Sequence, residues 1–216
     1  MLIYPGSLPR VLPLIPLSRG ILVPRSELHI PITDFAQLSS FIESIKGDSY
    51  VGVIQFRREN ASEMMEDPLF GCGCTGRVLD IQENDENQLV FSLQGVCRFE
   101  IEQELPSEKN IRRALVSYEK FRADVVQEAD FAFDRERLMF VLKPYFKKIH
   151  IHPDWQELSK TSNERLLTLL MMMCPFEASE KQALLETVGY EAQSKLVTSL
   201  VEMDAFQPEH QTAVFH

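Results

Sequence analysis

Ser159 and Lys160 are adjacent, and a hydroxyl beside a desolvated lysine is the pair a Ser–Lys peptidase uses. Neighbours along a chain point apart and no third group orients them, so no nucleophile is expected here. Cys72 and Cys74 repeat at the two-residue spacing that places side chains on one face of a strand. Two such thiols are half of a zinc site. No second pair at ligand spacing accompanies them, so they are expected as small buried apolar side chains without a metal. His150 and His152 alternate around Ile151 ahead of Pro153. They could bind metal or sense pH, but no carboxylate or cysteine motif adjoins them, which favours a solvated connector. Arg98 could hold an anionic ligand. Its flanks are buried-type residues, so an ion pair with its stem over apolar surface is the expectation. No Gly-Lys-Ser or Gly-Lys-Thr is present to cradle a nucleotide phosphate, and Lys46-Gly47 has the wrong order. No catalytic residue and no cofactor is therefore expected.

Composition narrows the partners. The chain has 216 residues, with 22 Lys+Arg against 32 Asp+Glu and a formal net charge of −10. That balance disfavours nucleic acid and anionic membrane surfaces, both of which need clustered cations. Arg112-Arg113 and Lys147-Lys148 are only isolated basic pairs. The longest nearly apolar run, 166–176, contains Thr168 and Pro175 and falls far short of the roughly 20 residues a spanning helix needs. Residues 1–8 show no basic segment ahead of an apolar run, so no secretory leader is expected. Four scattered cysteines then suggest reduced thiols and a cytoplasmic location.

The elements follow from period and punctuation. Residues 11–17 and 21–32 are apolar and broken by Pro13, Pro16, Pro24 and Pro31, which forbid a helix and remove ladder donors. They predict edge strands, or extended chain around a barrel. Phe35, Leu38, Phe41, Ile42 and Ile45 predict a helix over 34–45, capped by Thr33 or Asp34 and ended by Gly47. Strands are predicted over 50–56, 69–81, 88–94, 96–105 and 111–121, with 57–68 as a polar loop. The last part is helical: 127–149 with a kink or end near Pro144, a run capped by Thr161 and stopped by Pro175, one capped by Ser179 and ended by Gly189, and a last helix over 191–204. In that last helix Ala192, Leu196, Leu200 and Met203 share a side. A β-rich part (1–121), an α-rich part (122–205) and a loose tail (206–216) give an α+β class.

These residues resemble the LON domain, the N-terminal domain of ATP-dependent Lon proteases. Leu12-Pro13-Leu14-Ile15-Pro16-Leu17 followed by Ile21-Leu22-Val23-Pro24 is similar to the family's opening L-P-x-x-P-L and its apolar stretch ending in Pro. Val51-Gly52-Val53-Ile54 is similar to the strand after its first helix, and Gly71 to Ile81 to its G-x-x-x-x-I strand. Gly95-Val96-Cys97-Arg98-Phe99-Glu100-Ile101 is similar to G-x-x-R-F-x-I, the most specific piece, and Glu180 to Glu186 to E-K-Q-x-L-L-E. The resemblance covers about 10–204. The family's I-F-E-x-R-Y is not matched: Asp34 stands near the acid, and the Arg and Tyr are missing. The resemblance implies a PUA-like β-barrel-type subdomain followed by a C-terminal α-helical bundle. It also implies a non-catalytic role in recognising polypeptide substrates, and structural roles for Pro13, Pro24, Gly52, Gly71, Gly95, Arg98 and Phe99.

The candidate polypeptide-binding surface is the 57–68 loop with its flanks, namely Phe56, Met64, Met65 and Phe70. Methionine is flexible and polarizable and adapts to varied apolar partners. The alternative is that the loop folds back and buries both methionines. Two other functions stay open: an RNA-binding PUA-like module, and an uncharacterised hydrolase whose acids and bases converge only in three dimensions.

Overall fold

Strand β5, Leu89–Glu108, organises the molecule. In the computed structural model, residues 7–32, 49–57, 67–83, 89–108, 110–126 and 131–206 are described. The predicted helix over 34–45, most of the 57–68 loop with Met64 and Met65, and nearly all of the 206–216 tail lie outside them. The chain runs β1 (Val11–Leu17), β2 (Glu27–Ile32), β3 (Tyr50–Phe56), β4 (Leu69–Glu83), β5 and β6 (Ile111–Ser117). A 3-10 segment (Glu119–Val125) leads to α1 (Arg135–Lys148), α2 (Trp155–Lys160), α3 (Asn163–Met173), α4 (Ala178–Glu186) and α5 (Tyr190–Phe206).

The strand order is β2-β5-β4-β3-β1-β6, and β5 also pairs with β6. This closes a ring of β1, β3, β4, β5 and β6, with β2 added outside the first half of β5. The two strands expected at 88–94 and 96–105 are one strand. At Gly95 the chain does not turn. Thr75 opposes Cys97 while Gly76 opposes Gly95, so Val96 is the extra residue of a bulge. The bulge bends β5 so that its first half serves β2 and β4 and its last part serves β6.

The prolines of β1 have a related explanation. β1 is not an edge strand, since it pairs antiparallel with β6 and parallel with β3. Residues 11–13 face β6 and residues 14–17 face β3. Each residue needs a ladder on one side only, so two missing donors are tolerated. β2, which carries Pro31, is the edge strand the prolines predict.

Helix boundaries move for local reasons. Pro144 does not end α1, which runs to Lys148. The carbonyl that loses its donor is that of Phe140, a residue 71% exposed, where water can replace the bond. α1 starts at Arg135, with Asp134 accepting from the Arg137 amide at 3.0 Å, so Phe133 precedes the helix. α2 was not anticipated and is started by Asp154. Ser162, not Thr161, caps α3, because Thr161 donates its hydroxyl back to Glu157 O at 2.9 Å to close α2. Glu177, not Ser179, caps α4 in a reciprocal box with Glu180. α4 ends at Glu186, three residues before Gly189, whose φ of 84° begins the turn into α5.

The buried side of α5 is also rotated from the expected one. Gln193, Ser194, Val197, Thr198 and Val201 face the core, while Met203 is 58% exposed. Burial of these polar side chains is made tolerable by local bonds. Thr198 Oγ1 donates to Ser194 O at 2.8 Å, and Gln193 Nε2 donates to Leu184 O at 3.1 Å. One continuous core then joins ring and helices, including Phe56, Phe99, Phe121, Leu138, Tyr145, Leu166 and Leu185.

Candidate functional site

Arg98 is the strongest polar feature of this core. It is 4% exposed on the outward side of β5, opposite the buried Cys97 and Phe99. Nε donates to Asp124 Oδ2 at 2.8 Å and Nη2 to Oδ1 at 2.7 Å, a two-pronged pair. The Arg98 backbone amide donates to the same carboxylate at 3.0 Å. Nη1 donates to Leu185 O at 2.8 Å and Thr187 O at 2.6 Å, where α4 ends. The guanidinium lies 4.4 Å from the Phe121 ring centroid. Burial opposes the charge, and Asp124 more than offsets that, so Arg98 sits above its ordinary pKa. The cation thus ties β5, the 3-10 segment and α4 together. The expected ion pair is present, with a partner that sequence reasoning did not name.

Arg25 makes a second tie. It has a φ of 61°, and its guanidinium donates to Glu164 at 2.6 Å, the Tyr190 hydroxyl at 2.8 Å, Asp124 O at 3.1 Å and Val126 O at 2.8 Å. Asp124 is therefore held from two sides, its carboxylate by Arg98 and its carbonyl by Arg25. The sequence signal was an arginine directly after Pro24, at the end of the apolar 21–24 stretch. Between the ties lies a cavity of about 40 Å³ lined by Arg98, Phe121, Asp124, Val188, Tyr190 and Gln193, with room for waters rather than for a drug-sized ligand.

The glycine and aromatic positions form a packing device. A Cβ on Gly52 would come within 2.7 Å of Leu14 and 3.0 Å of Phe99, and one on Gly73 within 2.6 Å of Phe99. Phe99, 0% exposed, fills the space two glycines leave open. Gly71 makes no such demand, since a Cβ there meets nothing within 4 Å. A Cβ on Gly95 would lie 2.0 Å from Val23 O. The Gly95 amide donates to Ser26 O at 2.8 Å, and its carbonyl accepts from the Arg25 amide at 2.9 Å. Gly95 thereby positions Arg25. Pro24 is half-buried in the turn before it, and Pro13 is buried in β1.

The 57–68 loop is pinned at its base. The Arg57 amide donates to Pro68 O at 2.8 Å, and Arg112 Nη1 donates to Asp67 O at 2.6 Å. Phe56 is 2% exposed and belongs to the core, so it anchors the loop rather than presenting a surface; Phe70 is half-buried.

The other candidates are separate from these. Ser159 Oγ donates to Gln156 O at 2.8 Å and Lys160 pairs with Glu157 at 3.4 Å, so both turn to the exposed surface of α2. His150 takes a φ of 58° where α1 ends, and both it and His152 are exposed. Among the described residues no three His, Cys, Asp or Glu side chains gather at metal-binding distance. No described helix is long and apolar enough to cross a membrane.

All four cysteines are free and buried. Burial pushes the thiols of Cys72 and Cys97 up to about 12 and that of Cys174 to about 11, from 9.0, and Cys74 well above it. The unfolded chain ionises these thiols first. Their contribution to stability is therefore complete below about pH 9 and is lost as pH rises toward 12. A thiol-alkylating reagent at pH 8 should leave the native chain unlabelled over minutes and label it fully in denaturant, as mass spectrometry would show. Rapid native labelling would contradict the burial.

A closed mixed-strand ring bonded to a helical layer places the chain in the α+β class, and its fold is that of Lon N-terminal domains. The structure is similar to a Lon N-terminal domain protein from Xanthomonas campestris, with a TM-score of 0.58, 16% identity and coverage of 92% of this chain and 99% of that one. It is also similar to the N-terminal domain of a Mycobacterium avium complex Lon protease, with a TM-score of 0.58, 13% identity and coverage of 88% and 97%. Residues 11–203 match the family described as the ATP-dependent protease La (LON) substrate-binding domain, and the chain belongs to that family. It is 27% identical to Lon protease 2 of Myxococcus xanthus and 26% identical to a Lon protease of Anaeromyxobacter dehalogenans, each over 93% of this chain. The chain spans about a quarter of the length of those curated relatives, 24% in each case.

Proposed function

We propose that this chain is a polypeptide-binding module that captures unfolded or specific client proteins and performs no chemistry on them. The match of residues 11–203 to a substrate-binding domain carries this reading. The placement of Ser159, Lys160 and the cysteines supports it, because Ser159 and Lys160 bond within α2 and the four thiols are buried. Capture uses the loop between Phe56 and Phe70, in which Met64 and Met65 supply flexible, polarizable side chains suited to varied apolar partners. Phe56 and the Arg57–Pro68 bond hold the loop's ends while the methionines meet the client.

The test is fluorescence anisotropy of a labelled, permanently unfolded polypeptide titrated with the full chain, its folded form being the control. Only the unfolded form should saturate. Met64→Ser/Met65→Ser should weaken it about tenfold, as expected for two apolar contacts of ~0.7 kcal/mol each. The affinity should survive a rise in salt that would abolish phosphate-dominated RNA binding. Absence of binding at high micromolar protein would overturn general client capture.

A further inference from the structure

We infer that the outer edge of β2 takes an extended client segment as an added strand, which rests on the polypeptide-binding reading and gives it a second surface. β2 is the terminal strand of the sheet, and among the described residues nothing pairs with its far side. Pro31 stands opposite Val90 of β5. A proline inside a sheet turns its nitrogen away from the partner strand. By the two-residue alternation of an antiparallel ladder, the backbone groups of His29 and Glu27 point the same way. The edge therefore presents two amide donors and three carbonyl acceptors, spaced two residues apart. The chemistry that meets such a row is another extended peptide backbone.

The side chains beside the edge suit the same occupant. Leu28 and Ile30 are half-buried and pack with Ile15, Leu17, Val78 and Ile81 on the small cluster at this end of the ring. An added strand would lay alternate side chains next to this aliphatic strip. Pro31 has no donor and Glu27 carries a charge, so the site accepts one short segment and does not template further stacking. The 57–68 loop joins the start of β4 at Leu69, whereas β2 lies beside the residues of β5 that pair with 77–83 at its other end. The two surfaces can be tested separately.

The probe is a fluorescein-labelled peptide of eight alternating Thr and Val residues, N-methylated on every Val. One edge keeps its donors and the other cannot self-associate. A second peptide is N-methylated at every residue. The first should bind saturably and the second at least about tenfold more weakly, as expected for the loss of several backbone hydrogen bonds. His29→Pro, which removes the central outward amide, should weaken the first peptide about tenfold. His29→Ala loses the ring contact to Ser92 Oγ at 3.0 Å but keeps the amide, and should bind as the parent does. Circular dichroism and melting confirm the fold of each variant, and the peptide pair decides alone if His29→Pro fails to fold. Equal binding of the two peptides, or unchanged binding by folded His29→Pro, overturns the inference. If the unfolded polypeptide binds and the first peptide does not, the edge inference falls and the polypeptide-binding reading stands. If neither binds, both fall.

Discussion

Arg98→Met should destabilise the chain by about 3–5 kcal/mol, the cost of leaving a buried charge without its partner. Methionine preserves much of the stem, so the cavity term is small, and the loss falls on Asp124, whose side chain is 8% exposed. Two carbonyls at the end of α4, Leu185 and Thr187, lose their donors in the same step. In a domain of this size such a loss lowers Tm by roughly 6–20 °C, at about 2–4 °C per kcal/mol. Arg98→Lys should recover only part, because an ammonium cannot form the two-pronged pair and reach both carbonyls. The double variant Arg98→Met/Asp124→Leu should be more stable than Arg98→Met alone, since it removes the orphaned charge. Urea denaturation of the four proteins reads this directly. A midpoint shift equivalent to less than about 1 kcal/mol for Arg98→Met would mean that the pair is no stronger than a surface bridge.

The second large effect is expected at Gly95. Gly95→Ala puts a Cβ 2.0 Å from Val23 O and 2.8 Å from Val23 C, contacts that no side-chain rotation relieves. The opposing backbone cannot retreat easily. Ser26 Oγ donates to Val23 O at 2.6 Å, and the Gly95 amide and carbonyl hold Ser26 and Arg25. Moving Val23 would also withdraw Arg25 from Glu164 and Tyr190. The cost should reach about 3 kcal/mol or more, the upper range for overpacking of a core. Gly71→Ala is the matched control: nothing lies within 4 Å of its Cβ, and it should change stability by no more than about 0.5 kcal/mol. Thermal melts of the two variants separate a packing requirement from a general aversion to alanine in β4 and β5. Equal melting temperatures would place the need for Gly95 elsewhere.

Both effects arise in the stretch from Gly95 to Phe99, which the sequence marks most clearly. Alternation of Cys97, Phe99 and Ile101 against Arg98, Glu100 and Glu102 was enough to predict a strand with one inward face. It did not say that the outward face of Arg98 is itself covered. That depends on Asp124, 26 residues away, and on Leu185 and Thr187, 87 and 89 residues away. A period reports that a side chain is buried on one side and is silent about what lies on the other.

The candidate loop shows the same division. Polarity and the lack of a period marked 57–68 as a connection, and Met64 and Met65 as unusual within it. The structure adds that Phe56 belongs to the core and that the Arg57–Pro68 backbone bond and the Arg112 side chain close the base. Phe56 looked from sequence like part of a binding surface because apolar character alone does not distinguish an anchor from a contact.

By itself, then, the sequence determined the α+β class, a strand-rich part followed by a helix-rich part, and the stop of α3 ahead of Pro175. These are local properties, set by φ restrictions, side-chain alternation and the three-to-four-residue helical repeat. Tertiary structure alone decided that β5 bulges through Gly95, that β1 is shared between two partners, that polar Gln193, Ser194 and Thr198 face the core, and that Arg25 and Arg98 both hold Asp124. Each depends on groups brought together across long separations. Hydrogen bonding that makes a buried arginine or glutamine tolerable leaves no trace in the spacing of its neighbours.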